Sequence, residues 1–191
     1  MVPELHNLSG KNLLCLSLAL LGGYSSFIAS MFVDGPDYGS VACVILAVFM
    51  YFFFTSSFFW MLVIAFDVWR TLRASATQLR LTAGKQWKKF GVYSLVGWGS
   101  SALLTLAIIL IDSLEIFRSK EFEKPGVGMG KCFLQDKAVG VYLHLPSMVV
   151  MLLNAILFLI TTATIYRYGA GTDFWGFFNS FMGIEFPRGK K

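Results

Sequence analysis

Few side chains in this chain have the types and spacing that acid–base, nucleophilic or metal chemistry requires. The 191 residues include two histidines and three cysteines, and His144 has only His6 as a second imidazole. The sequence shows no glycine-rich phosphate loop, no Cys-x-x-Cys pair and no nucleophile–histidine–acid set. We therefore predict that the protein is not an enzyme and has no catalytic residue, no cofactor and no metal site.

Composition indicates a membrane environment. Hydrophobic residues make up 56% of the chain and charged residues 14%, which is about half the charged fraction of soluble proteins. So few charges cannot cover a core of this size with a water-facing surface, and the chain is too apolar for intrinsic disorder. The net charge of +5 is expected to face anionic lipid, and no nucleic-acid partner is predicted.

Four uncharged apolar runs are long enough to cross a bilayer as helices, which takes about 20 residues each. These runs are 12–33, 38–66, 90–111 and 138–166. A helix closes its own backbone hydrogen bonds, as the hydrocarbon region demands. The sequence therefore predicts an all-α, polytopic membrane helix bundle with four transmembrane helices over residues 12–166.

The distribution of basic residues predicts the orientation of the bundle. Segments 1–11, 67–89 and 167–191 together hold eleven Lys and Arg, whereas segments 34–37 and 112–137 hold five. By the positive-inside rule, we expect a multi-pass plasma-membrane protein with both termini in the cytoplasm. The first segment is then a cytoplasmic N-terminal segment, and the last is an irregular or interfacial cytoplasmic tail.

Polar residues within or beside the apolar runs are candidates for function or for helix packing. Asp67, at the inner end of the second run, could pair with a helix-end Arg or Lys as a conformational latch, or could be solvated by head groups. Asn154 is mid-helix and needs a partner on a neighbouring helix, such as an indole N–H or a backbone carbonyl. We assign Asn154, Trp60 and Trp98 to a polar, helix-packing core rather than to ligand contact.

The three cysteines separate by side of the membrane. Cys43 and Cys132 fall on the outer side, so a disulfide between them would fasten the 26-residue segment 112–137 over the bundle. The alternative is that both are unpaired small apolar residues. Cys15 lies near the inner side and is expected to be inert packing.

Motifs along the chain occur in an order and spacing that resemble the secretin/adhesion-type (family B) G-protein-coupled receptors, and within them the Methuselah-like receptors. The resemblance covers about residues 5–167. It rests on Leu5-His-Asn-Leu-Ser-Gly-Lys11, Cys43, Phe58-Phe-Trp-Met-Leu-Val63, Tyr93-Ser-Leu-Val-Gly-Trp-Gly99, Gly130-Lys-Cys132, Tyr142-x-x-x-Pro146 and Leu153-Asn154-x-x-x-Phe158.

The resemblance implies that the four helices are the second to fifth of a seven-helix receptor bundle. It also implies that Cys43–Cys132 is the family's outer disulfide and that Arg70 and Arg73 face a heterotrimeric G protein. The chain departs from the family pattern at Ile64, where many members carry Glu. It departs again at Ser101 in place of Pro and at Ser9 in place of His.

Together these features predict a partial G-protein-coupled receptor that would transmit a signal from an unidentified extracellular ligand to a G protein. We interpret the chain as a receptor fragment, a truncated isoform or an incomplete gene model. With four helices it is not expected to signal alone. Its partners would be membrane lipid and, through its open lateral faces, a full-length receptor. The alternative function is a four-helix membrane scaffold or junction-type protein without receptor activity.

Overall fold

A computed structural model describes residues 8–33, 39–76, 86–114, 124–129 and 131–168. Nearly all of these residues are helical. The predicted cytoplasmic segment 1–11 is therefore described only from Leu8, and the predicted tail 167–191 only as far as Tyr168. The remainder of both segments lies outside the described residues.

Four long helices follow one another along the chain. Helix α1 is Leu8–Ser30, α2 is Val41–Ala76, α3 covers 86–113 and α4 covers 136–168. Each contains a stretch that is long and apolar enough to cross a membrane. The predicted all-α, four-helix membrane bundle is confirmed.

Helix α2 extends well past the end of its apolar run. The uncharged run stops at Phe66, but the helix continues to Ala76. Asp67, Arg70 and Arg73 end the part that suits hydrocarbon without ending the helix, because arginine is a good helix former and the exposed Arg70 and Arg73 can be solvated by head groups and water. The last turns of α2 therefore carry its charges beyond the apolar region.

Helix α2 is the centre of the bundle and packs against α1, α3 and α4. In its apolar span 39% of residues are buried, compared with 6% in the span of α4. Most of α4 and one side of α1 expose large apolar side chains. Such faces suit lipid or further helices, because they would be unstable in water.

Helices α3 and α4 each contain a π-helical segment, Leu95–Gly99 in α3 and Gly140–His144 in α4. A π segment inserts an extra residue into the helix and changes the direction of neighbouring side chains. Both segments contact α2, through Gly97 in α3 and through Tyr142 in α4. Neither segment was predicted from the sequence.

Because the helices alternate in direction, α1 and α3 begin, and α2 and α4 end, at the same end of the bundle. We call it the basic end, after cations that include Lys11, Arg70, Arg73, Lys88 and Lys89. The opposite end is the disulfide end, after the bond between Cys43 and Cys132.

Each half of the bundle has its own cluster of buried apolar side chains. The cluster towards the basic end contains Leu8, Ala19, Trp60, Val63 and Tyr93. The cluster towards the disulfide end contains Ala47, Tyr51, Ile108, Val127 and Leu134.

Candidate functional site

At the basic end, a hydrogen bond between two buried side chains joins α2 to α3. The Tyr93 hydroxyl donates to Oδ1 of Asp67 over 2.9 Å, and both side chains are under a tenth exposed. Arg70 and Lys89 are near enough to interact electrostatically with the carboxylate. We expected Asp67 to pair with a helix-end cation or with head groups. The structure gives it a tyrosine as hydrogen-bond partner, with Arg70 and Lys89 as nearby cations.

Arg70 and Arg73 are exposed on the last described turns of α2. The Arg70 guanidinium is near enough to Tyr93 to interact with it electrostatically. The Arg73 guanidinium lies 5.5 Å from the centre of the Trp69 ring, within the range of a cation–π contact. The Arg73 guanidinium is therefore held against its own helix, and both arginines remain accessible to a partner at this end of the bundle.

Helices α1 and α3 meet at the basic end through a second cation–π contact. The Lys11 ammonium lies 3.6 Å from the centre of the Trp87 ring and 5.8 Å from that of Phe90. The two rings pack edge to face, with their centroids 6.4 Å apart. Trp87 is 72% exposed, so its indole combines a cation contact with a surface position typical of tryptophan at a membrane interface.

The two tryptophans predicted to pack between helices contact each other at the π segment of α3, which contains Trp98. Trp60 is fully buried, and its ring contacts that of Trp98 edge to face with centroids 5.8 Å apart. A Cβ atom at Gly97 would lie only 2.5 Å from Trp60 Cε2, so the indole fits because residue 97 has no side chain. Trp98 also stacks on Phe52, with centroids 5.9 Å apart.

The two asparagines of the apolar spans have different surroundings. We expected Asn154 to bond to a neighbouring helix, but its Nδ2 donates to the Val150 carbonyl one turn back in α4, over 3.1 Å. An amide can bond to its own helix in this way and so needs no neighbour. Asn12 was not singled out, yet it is fully buried. Neither of its amide atoms has a hydrogen-bond partner among the described residues.

At the disulfide end, residues 124–129 and 131–135 pack back onto the bundle. Cys132 is bonded to Cys43 of α2, and their Cα atoms are 4.6 Å apart. The Gly126 N–H donates to Oδ1 of Asp112, at the end of α3, over 2.9 Å. The Gly39 N–H donates to the Gly128 carbonyl over 3.0 Å. This segment is thus fastened by a covalent bond to α2 and by hydrogen bonds to two different parts of the chain.

Tyr51 joins α2 to the π segment of α4. Its hydroxyl donates to the Tyr142 carbonyl over 2.8 Å, and its side chain is buried. In an α-helix that carbonyl would accept from the N–H of residue 146, but residue 146 is proline and has none. The Tyr51 hydroxyl therefore supplies the Tyr142 carbonyl with a donor that residue 146 cannot provide. His144, in the same segment, is exposed.

Sequence reasoning missed three of these polar residues. Tyr93 had been noted only as part of a motif, and Tyr51 only within an aromatic run. The signal for Asn12 was its position on a stripe of α1 residues spaced by four or seven, which the structure buries: Leu8, Asn12, Ala19, Gly23 and Ser30. No three His, Cys, Asp or Glu side chains in the described ranges could together hold a metal ion.

Comparison with known proteins gives a consistent result. A family model described as 7 transmembrane receptor (Secretin family) matches residues 11–172. The G-protein coupled receptor Mth2 of Drosophila yakuba is 32% identical over 169 residues, which cover 87% of this chain and 30% of the relative. Two probable receptors of Drosophila melanogaster also match. Mth-like 10 is 32% identical over 169 residues, covering 87% of this chain and 28% of its own length. Mth-like 6 is 26% identical over 171 residues, covering 87% and 33%.

These matches confirm the family resemblance inferred from the motifs. The chain spans about 30% of the length of the curated relatives it matches.

Proposed function

Because the chain belongs to the secretin family of seven-transmembrane receptors, we propose that it carries the second to fifth helices of a Methuselah-like receptor. In this role the disulfide end faces the extracellular ligand and the basic end faces a heterotrimeric G protein. Both termini would then be cytoplasmic, in agreement with the excess of basic residues in segments 1–11, 67–89 and 167–191.

The observation that carries the proposal is the Asp67–Tyr93 hydrogen bond between α2 and α3. Signalling by a helix bundle requires at least two arrangements of its helices, with an equilibrium that ligands shift. A buried carboxylate that shares a hydroxyl with another helix favours one arrangement, because separating the pair leaves a buried charge without its donor. We infer that this pair acts as the conformational latch of this chain, where residue 64 is Ile rather than the family's frequent Glu.

Arg70 and Arg73 are the residues proposed to contact the G protein. They lie three and six residues after Asp67 on the same helix, so a shift of α2 relative to α3 would move them with it. Their exposure and their positive charge suit an acidic or carbonyl-rich partner surface. The alternative function, a membrane scaffold, has no comparable support, since the relatives that this chain matches are described as receptors.

A split-receptor experiment tests the proposal. The chain would be co-expressed with the parts of Drosophila yakuba Mth2 that precede and follow the matched region, because membrane helices can associate after separate insertion. We expect guanine-nucleotide exchange on the heterotrimeric G protein in membranes that hold all parts of the receptor. We expect no exchange when the chain is expressed alone.

Paired variants make the test specific. Replacing Arg70 and Arg73 by Ala should lower nucleotide exchange about fivefold or more, whereas Lys124→Ala, near the disulfide end, should leave it unchanged. Exchange by the chain alone, or equal losses in the two sets of variants, would contradict the proposal.

A further inference from the structure

The basic end carries a cationic surface on the side of α1 and α3. Lys11 is in the first turn of α1, and Lys88 is in the first turn of α3 beside Trp87. Among the described residues at this end, the one acidic side chain is Asp67, which is 7% exposed and already accepts the Tyr93 hydroxyl. The accessible charge there is therefore positive.

The Lys11 ammonium is held in place rather than free in solution. It lies against the Trp87 and Phe90 rings, and its side chain is only partly exposed. A lysine fixed in this way loses less conformational entropy on binding an anion than a fully mobile one. The indole itself is 72% exposed and lies in the first turn of a membrane-spanning helix, where tryptophan favours the head-group region.

From these features we propose that Lys11, Trp87 and Lys88 form a binding site for the head group of an anionic phospholipid. The two ammonium groups would pair with the phosphate and its anionic substituent, and the exposed face of the indole would lie against the glycerol and upper acyl region. A lipid fits this surface better than a soluble anion does, because both lysines lie in the first turns of helices that are long and apolar enough to cross a membrane. The site is separate from Arg70 and Arg73 on α2.

The test measures the lipid selectivity of the purified 191-residue chain. The chain would be equilibrated in mixed micelles holding equal amounts of phosphatidylcholine and phosphatidylserine, and the retained lipids would be counted by native mass spectrometry. We expect phosphatidylserine to be enriched. Lys11→Gln should reduce the enrichment about fivefold, the usual contribution of one basic residue near an anionic membrane surface. Lys124→Gln should not change it.

Trp87→Leu distinguishes a built site from diffuse charge attraction. It leaves every charge in place but removes the ring that holds Lys11, so the site predicts a loss of enrichment close to that of Lys11→Gln. Helical content by circular dichroism confirms that each variant is folded. No enrichment in the wild-type chain, an unchanged enrichment in folded Trp87→Leu, or displacement of the lipid by a soluble acidic peptide would overturn the proposal.

Discussion

The two ends of the bundle are held together by different kinds of interaction. At the disulfide end, a covalent bond fastens Cys132 to α2, the Gly126 N–H donates to the Asp112 carboxylate of α3, and the Gly39 N–H donates to the Gly128 carbonyl. At the basic end, one side-chain hydrogen bond joins α2 to α3, and the contacts of the Lys11 ammonium with the Trp87 and Phe90 rings join α1 to α3. Side-chain contacts of this kind contribute about 1 kcal/mol each and can exchange partners. We infer from this difference that the disulfide end is the fixed framework and the basic end is the part able to rearrange.

The largest effect is expected from the covalent bond. Cys43→Ser should lower the free energy of unfolding by about 2–5 kcal/mol, because it removes a crosslink between distant parts of the chain. Thermal unfolding in detergent, followed by circular dichroism, measures the change. Cys15→Ser is the control, since Cys15 is the free cysteine of the described chain. Equal stability of the two variants would remove the contrast between the ends.

The contact between α2 and α3 should show the next largest effect. Gly97→Ala places a methyl group 2.5 Å from the buried Trp60 ring, and overpacking of this kind costs about 1–3 kcal/mol. Gly91→Ala on the same helix is a matched control, since no atom lies within 4 Å of its Cβ position. That control should be neutral or stabilised by up to about 1 kcal/mol, as alanine favours a helix over glycine. A destabilised Gly91→Ala together with a neutral Gly97→Ala would show that the α2–α3 packing is wrong.

A smaller effect is expected for Tyr51→Phe. The change removes only the hydroxyl that donates to the Tyr142 carbonyl, and should lower the free energy of unfolding by about 1 kcal/mol. Tyr24→Phe, at an exposed position of α1, should have no measurable effect on the same thermal unfolding curve. If both variants unfold with the wild-type midpoint, the hydroxyl does not support the π segment.

Much of the fold could be predicted because charge and length alone identify membrane helices. The uncharged runs indicated all four helices, and the positions of Cys43 and Cys132 on one side of them indicated their pairing. The extension of α2 to Ala76 was missed, since the absence of charge marks the hydrocarbon region rather than the end of a helix.

The candidate site was harder to predict, because it depends on how each helix is rotated. Asp67 was recognised as a candidate, but its partner Tyr93 was not, since sequence spacing does not tell which residues of two helices face each other. The π segments of α3 and α4 add a local change of direction that no simple periodicity contains. The bond from Tyr51 to Tyr142 was missed for that reason, even though Pro146 indicated that a carbonyl nearby lacks its usual donor.

The central claim is that the Asp67–Tyr93 pair holds one arrangement of a basic end that can rearrange, whereas contacts near the disulfide end maintain the framework. It is tested most directly by basal nucleotide exchange in the split receptor, with Tyr93→Phe compared with Tyr51→Phe. Each variant removes one hydroxyl that bridges α2 to a neighbouring helix, so the two differ chiefly in the end of the bundle they affect.

A lost hydrogen bond of about 1 kcal/mol corresponds to about a fivefold change in the balance of two conformations. Because the latch is proposed to hold the inactive arrangement, we expect Tyr93→Phe to raise basal nucleotide exchange about fivefold and Tyr51→Phe to leave it near the wild-type value at equal surface expression. Unchanged exchange in Tyr93→Phe, or the same increase in both variants, would contradict this account.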